Sequence, residues 1–483
     1  MRVPEPALER ALCLALGVDR ENLTQSLVAT QLRHLEANDK QIRNLTGLEA
    51  AQNLETLVLR DNLIENLLPI SDLPNLKNLD LAGNKISSVA DLVPLSRSNL
   101  LFRIAEIRDS LKDLSIRDEL KSSMVLELAE ILKKLKRGPW SLRFLNLSGN
   151  RLLGLTGVGV LRSLEQLNVS NNALIDLEGV GELKNLVTLY AQGNQLGRVE
   201  GFVDLNKDKQ YSLGEPINDE SGNGKRDVDP LVELRSLPRL LNLHLYENIL
   251  KTVRSLSDLP SLRVLLLSGN QIQDLKTLQD FNSIKRLSRS DNKINDLSGI
   301  ESLSNLEHLY LVEKRICDLR PLAKLYNLRE LYLQKNQFAE VSYLSRLNNL
   351  EILQLSNNLV HDPSPLNMMK NLTKLSLSGN SLNLDEEKIK LFFEIMSSRG
   401  TLVLKGDQRK RSYEAESLIA SLIGHPRSNQ ILGDYLESNG YSRLIDFEED
   451  STISEDEKSL SYLTWETHLK NGRQLIDVPF PGN

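Results

Sequence analysis

The stretch from Leu45 to Ile86 reads LTGLEAAQNLETLVLRDNLIENLLPISDLPNLKNLDLAGNKI, and it contains its own copy. Leu54, Leu57, Leu59 and Asn62 set a pattern, L-x-x-L-x-L-x-x-N. Leu76, Leu79, Leu81 and Asn84 repeat it 22 residues later. Outward from there, the period resumes at Leu142, Leu164 and Leu186. It then runs without slip from Leu240 through Leu262, Ile284, Leu306, Leu328, Leu350 and Leu372. With a degenerate first copy at Leu32, the chain holds thirteen copies. Two intervals are long: Leu76 to Leu142 spans 66 residues and Leu186 to Leu240 spans 54. Each therefore carries an insertion.

A 22-residue coil cannot bury its own leucines, but stacked coils bury them in one core beside a parallel strand ladder. Period-two alternation turns positions 4 and 6 inward and leaves 3, 5 and 7 on the opposite face. The Asn at position 9 recurs at 62, 84, 150, 172, 194, 248, 270, 292, 336, 358 and 380. Its short amide suits backbone groups in the turn of its own and the neighbouring coil. Lys314 interrupts the row, which predicts a looser coil there. The second half of each copy, as in Leu297, Ile300, Leu303 and Asn305, suits an extended or 3₁₀ back rather than an α-helix.

Composition agrees with a repeat. Of 483 residues, about 100 are leucine, roughly twice ordinary usage. The net charge of −6 and pI near 5.8 argue against a dedicated nucleic-acid binder. At 40% hydrophobic the chain is too apolar to be disordered throughout. No apolar run approaches a membrane span. Cys13 and Cys317 belong to different coils, which excludes a disulfide framework. The opening MRVPEPALERALCLALG has acidic residues before and inside a short apolar stretch, unlike a signal peptide. No phosphate loop, Cys/His cluster or nucleophile elbow appears, so no enzymatic activity is expected.

These copies resemble the 22-residue leucine-rich repeats of bacterial internalin-like proteins and of the eukaryotic phosphatase-1 regulatory class, over roughly residues 20–405. The resemblance implies an α/β solenoid, a horseshoe with a parallel concave sheet and a 3₁₀ or extended convex side. It implies helical caps, a bacterial origin and a non-enzymatic role in binding a protein partner at the cell surface or outside the cell. A cytoplasmic scaffold, regulating a phosphatase or kinase, is the alternative that the opening residues favour. The expected organisation is a helical cap over 1–31, a solenoid over 32–384, a second cap over 385–405 and a helical or partly disordered tail over 406–483.

The insertion at 96–139 reads as a helical hairpin. Leu100, Ile104, Ile107, Leu111 and Leu114 share one face, and Ser115 with Asp118 resembles a capping box. The insertion at 204–229 has other chemistry. Asp204, Asn206, Asp208, Gln210 (through its carbonyl) and Glu215 fall at offsets 1, 3, 5, 7 and 12 of a twelve-residue calcium loop. Lys209 stands where that loop has glycine. A second run places Asp219, Ser221, Asn223 and Asp227 at offsets 1, 3, 5 and 9, with Asp229 close by. Calcium takes six to eight hard oxygens, and these segments resemble EF-hand and dockerin loops. Bound Ca²⁺ with a structural role is expected; a solvated Gly/Asn/Asp loop is the alternative.

The concave positions supply the candidate partner site. Tyr190, His244, Tyr246 and Leu266 fall in one patch, and His308, Tyr310 and Tyr332 in another, with Arg286 and Glu330 alongside. Tyrosines beside histidines suit a protein-binding surface, since Tyr buries much area and keeps a hydroxyl. The alternative is that the rings only stack to cover the ladder.

Overall fold

A computed structural model describes residues 1–92, 141–198 and 229–406, apart from 258, 274, 279–280, 282, 291, 293–295 and 313–315, together with 107 and 124–126. Each copy contributes a three-residue strand. They are β1 (His34–Glu36), β2 (Thr56–Val58), β3 (Asn78–Asp80), β4 (Phe144–Asn146), β5 (Gln166–Asn168), β6 (Thr188–Tyr190) and β7 (Asn242–His244). They continue as β8 (Val264–Leu266), β9 (Arg286–Ser288), β10 (His308–Tyr310), β11 (Glu330–Tyr332), β12 (Ile352–Gln354), β13 (Lys374–Ser376) and β14 (Leu402–Leu404). All fourteen form one parallel sheet in chain order. β3 pairs directly with β4, and β6 with β7, so both insertions leave the ladder unbroken.

The register aligns the central leucine of every strand, as in Leu35, Leu57, Leu79 and Leu145. These four are essentially fully buried. The convex side is built of short 3₁₀ turns such as Leu48–Ala50, Ile300–Ser302 and Arg320–Lys324. A coil of 22 residues has no room for more. One solenoid core therefore runs from the first cap to the second.

The position-9 asparagines fasten each coil to the one before. Asn270 Nδ2 donates to the Leu267 carbonyl of its own coil (2.9 Å) and to the Leu245 carbonyl of the preceding coil (2.9 Å). Its Oδ1 accepts the Leu250 N–H at 3.0 Å. The same geometry recurs at Asn84, Asn194 and Asn380. Lys314, the break in this row, lies outside the described residues.

Position 8 adopts left-handed backbone, and here neighbouring coils share space. Asn171 (φ 54°) is followed one coil later by Gly193 (φ 65°), and Asn357 (φ 59°) by Gly379 (φ 67°). A Cβ on either glycine would fall 2.2 Å from the Asn Oδ1 of the preceding coil. Glycine is required both for its φ and for that close approach.

One core position departs from the pattern. Arg289 occupies position 6 of its coil, where Leu267 and Leu311 stand in the coils on either side, and is fully buried.

The ends are closed by helices. α1 (Pro6–Leu16) and α2 (Gln25–Gln31) turn Leu8, Leu12 and Val28 onto the first coil. Pro6 stands in the first turn of α1, Gly17 (φ 66°) ends it, and the Thr24 hydroxyl caps α2 by accepting the Leu27 N–H at 3.2 Å. At the other end α3 (Glu387–Ser398) buries Ile389, Phe392 and Met396, and β14 follows. Of the first insertion, Ile107 and 124–126 are helical. The rest of the predicted hairpin and the tail beyond residue 406 lie outside the described residues.

Candidate functional site: an aromatic column on the concave face

The sheet register brings one residue of each coil into a column. Across β6 to β12 it reads Tyr190, His244, Leu266, Ser288, Tyr310, Tyr332 and Gln354. Neighbouring strands lie about 4.8 Å apart, so adjacent rings must touch. The Tyr190 and His244 rings do so at 4.5 Å between centroids, tilted by 48°. Tyr310 and Tyr332 stack at 4.5 Å and 12°. Residues 142 positions apart in sequence are thus ends of one band about 24 Å long. Residues of both predicted patches, Tyr190, His244 and Leu266 in one and Tyr310 and Tyr332 in the other, belong to this column. Tyr246 flanks it on position 7 and His308 on position 3.

Stacking also buries part of the band. His244 and Tyr332 each retain only 5% exposure, while Tyr190, Tyr246, Leu266, His308 and Tyr310 are half-buried. Any one ring is covered by its neighbours a strand away, which residue type alone does not show. Burial lowers the His244 pKa to about 4, so its imidazole is neutral near pH 7. Burial likewise raises Tyr190, and it pushes Tyr332 up to about 12 with help from the Glu330 charge. Tyr310 is raised further, chiefly by burial. All three phenols are neutral donors.

The pH consequence has a definite sign. Unfolded, His244 takes a proton near 6.5; folded, it resists until about 4. Stability from this group is present above 6.5 and is lost as pH falls towards 4. The urea midpoint should drop across that window, and His244→Phe should flatten the drop.

Glu330 anchors the second half of the band. Its Oε2 accepts the Tyr310 hydroxyl at 3.1 Å. His308 Nδ1 lies 3.2 Å from the same oxygen but off the hydrogen-bond axis, so the contact is ionic when His308 is protonated. His308 holds the Glu330 carboxyl below its ordinary range, with Tyr310 and Arg286 adding to the effect against partial burial. His244 and His308 stand three strands apart in the ladder and cannot share a metal ion. Around the column from β6 to β12 the face offers aromatic surface, hydroxyl donors and one fixed carboxylate, Glu330.

The calcium candidates Asp204, Asn206, Asp208, Gln210, Glu215, Asp219, Ser221, Asn223 and Asp227 lie outside the described residues. Asp229 is described and closes the insertion. Its Oδ1 accepts the Leu231 N–H at 3.1 Å, and its Oδ2 accepts the Ser255 hydroxyl of the next coil. Lys184 bridges the coils on either side, donating to the Gly181 carbonyl at 2.6 Å and the Ser236 carbonyl at 3.0 Å. Among the described residues, no three His, Cys, Asp or Glu side chains gather as a metal site. Nor is any described helix long and apolar enough to cross a membrane.

The leucine-rich-repeat family matches residues 52–94 in two copies and residues 141–160 in one. No curated protein matches the chain. Among solved structures, an internalin from Listeria monocytogenes is 20% identical with a TM-score of 0.54, covering 85% of this chain and 91% of its own. A leucine-rich-repeat protein of Leptospira interrogans is 22% identical with a TM-score of 0.55, covering 78% and 85%. The APL1 leucine-rich repeat domain is 17% identical with a TM-score of 0.52, covering 79% and 82%. The chain is a leucine-rich-repeat solenoid, similar in fold to bacterial internalin-like proteins.

Proposed function

We propose that this solenoid is a non-enzymatic interaction module that takes a protein partner on its concave face, over the column from Tyr190 to Tyr332. The observation that carries this reading is the column itself. Tyr190 against His244 and Tyr310 against Tyr332 lie in register within six consecutive strands, their rings in contact one strand apart. A ladder pre-organised this way loses little side-chain entropy on binding, and aromatic anchors dominate protein interfaces. Capture of a partner with the wild-type chain as bait, repeated with Tyr310→Ala plus Tyr332→Ala, tests it. At least a tenfold loss of capture is expected, with a folded far-ultraviolet spectrum retained. Capture that persists undiminished removes the concave face from consideration.

We infer further that the 204–229 insertion binds calcium in a structural role and that the protein works outside the cell. The support is the ligand spacing from Asp204 to Glu215 and from Asp219 to Asp227, together with the anchoring of Asp229 on the next coil. Ordering the loop with an ion would add stability without altering the concave sheet. Calorimetric titration of the metal-stripped protein, with magnesium in excess, should give a dissociation constant on the order of 10⁻⁴–10⁻³ M, the range of extracellular modules. A value near 10⁻⁷–10⁻⁵ M would move the protein inside the cell. Absence of heat would reduce the insertion to a solvated loop.

A further inference from the structure

The aromatic column has one gap. Ser288 stands between Leu266 on β8 and Tyr310 on β10, while every other position from β6 to β12 holds Tyr, His, Leu or Gln. The two walls are two strand spacings apart, about 9.6 Å. Tyr310 lies nearly parallel to Tyr332 at a centroid distance close to the strand spacing. Its ring faces therefore point along the solenoid axis, one against Tyr332 and the other over Ser288. Exposure follows this asymmetry. Tyr332, between Tyr310 and Gln354, is buried, whereas Tyr310 and Leu266 stay half-buried because Ser288 is too short to cover them. The Ser288 hydroxyl pairs with Ser268 at 2.5 Å, so the floor of the gap is small and its polar group is engaged.

A ring placed over Ser288 would continue the stack at about 4.8 Å, a favourable centroid distance for aromatic pairs. One edge of the gap is cationic. Positions 2 and 3 of the β8 and β9 coils carry Arg263, Lys285 and Arg286, and the concave positions of those two coils carry no carboxylate. Lys285 pairs with Glu307 at 2.7 Å on the next coil, and Arg286 acts on Glu330 beyond it. Arg263 is exposed at the rim. The charge is complementary to an acidic segment crossing that edge.

We propose that the gap over Ser288 is a slot for a single aromatic side chain of the protein partner, carried on an acidic segment whose carboxylates meet Arg263. The proposal rests on the concave face being the binding face and names what that face selects. Ser288 is then a specificity-determining residue because it is small: filling the slot from within removes the place of the partner's ring.

A random peptide display library panned on the full chain tests this, followed by fluorescence anisotropy on the recovered peptides. The expected peptides carry an aromatic residue next to Asp or Glu. Their affinity should fall at least tenfold on Ser288→Tyr, which fills the slot with a ring that extends the stack. It should be unchanged on Ser288→Ala, which leaves the slot open, and should fall several-fold on Arg263→Glu at the exposed rim. That last variant keeps the test decisive should Ser288→Tyr perturb the fold. Peptides that lose affinity on Tyr310→Ala but not on Ser288→Tyr or Arg263→Glu overturn the slot and leave the concave face standing. Peptides indifferent to all three substitutions overturn both, and recovery of no aromatic–acidic sequences overturns the slot.

Discussion

Asn270→Ala should destabilise the solenoid by about 3 kcal/mol, because a buried donor loses its partner outright and three carbonyls lose one of theirs. The Leu250 N–H is buried and donates to Asn270 Oδ1. The Leu245 and Leu267 carbonyls are each shared between successive asparagines: Asn248 and Asn270 for the first, Asn270 and Asn292 for the second. Removing one amide therefore weakens the joint between coils without emptying every acceptor. Equilibrium urea unfolding gives the size of the loss, and hydrogen exchange locates it. Exchange should accelerate most at Leu250 and its neighbours in the two joined coils. A change within about 0.5 kcal/mol, the range of an ordinary surface substitution, would mean that the asparagine row is not a fastening.

Leu267→Ala should act in the same direction, lowering stability by about 2–5 kcal/mol, as when a buried leucine is truncated in a packed core. Leu267 fills an inward position between Leu245 and Arg289 and has no exposed surface. The lost side chain leaves a cavity that the coils on either side, held in register by the strand ladder, close only in part. The same urea experiment applies. An unchanged midpoint would show that position 6 contributes nothing to the core. The two substitutions together separate the polar fastening between coils from the apolar core beneath it.

Much of this architecture is legible along the chain. The 22-residue period from Leu54 to Leu372 forces stacked coils, and the strands form where the L-x-x-L-x-L pattern lies. The amide chemistry of the position-9 row is equally legible, since a short side chain carrying a donor and an acceptor can bridge two backbones. Column residues such as Tyr310 and Tyr332 follow from adding 22. The burial of His244 and Tyr332 does not follow, because it depends on what the next coil places against each ring. Arg289 escapes a reading by consensus, since the repeat is recognised from the leucines that fit; the signal was Ile284-x-x-Leu287-x-Arg289 itself.

Ser288 marks the boundary between the two kinds of information. By itself the sequence determines the coil length, the inward leucines, the capped ends and the face on which each side chain falls, because these depend on local periodicity and on the need to bury leucine. Only the tertiary structure decides which of those residues touch. Stacking sets Tyr310 against Tyr332 at the strand spacing and turns its other face towards Ser288. A contact between coils is a distance in space, set by register and ring orientation, and a serine becomes a slot only through the residues on either side of it.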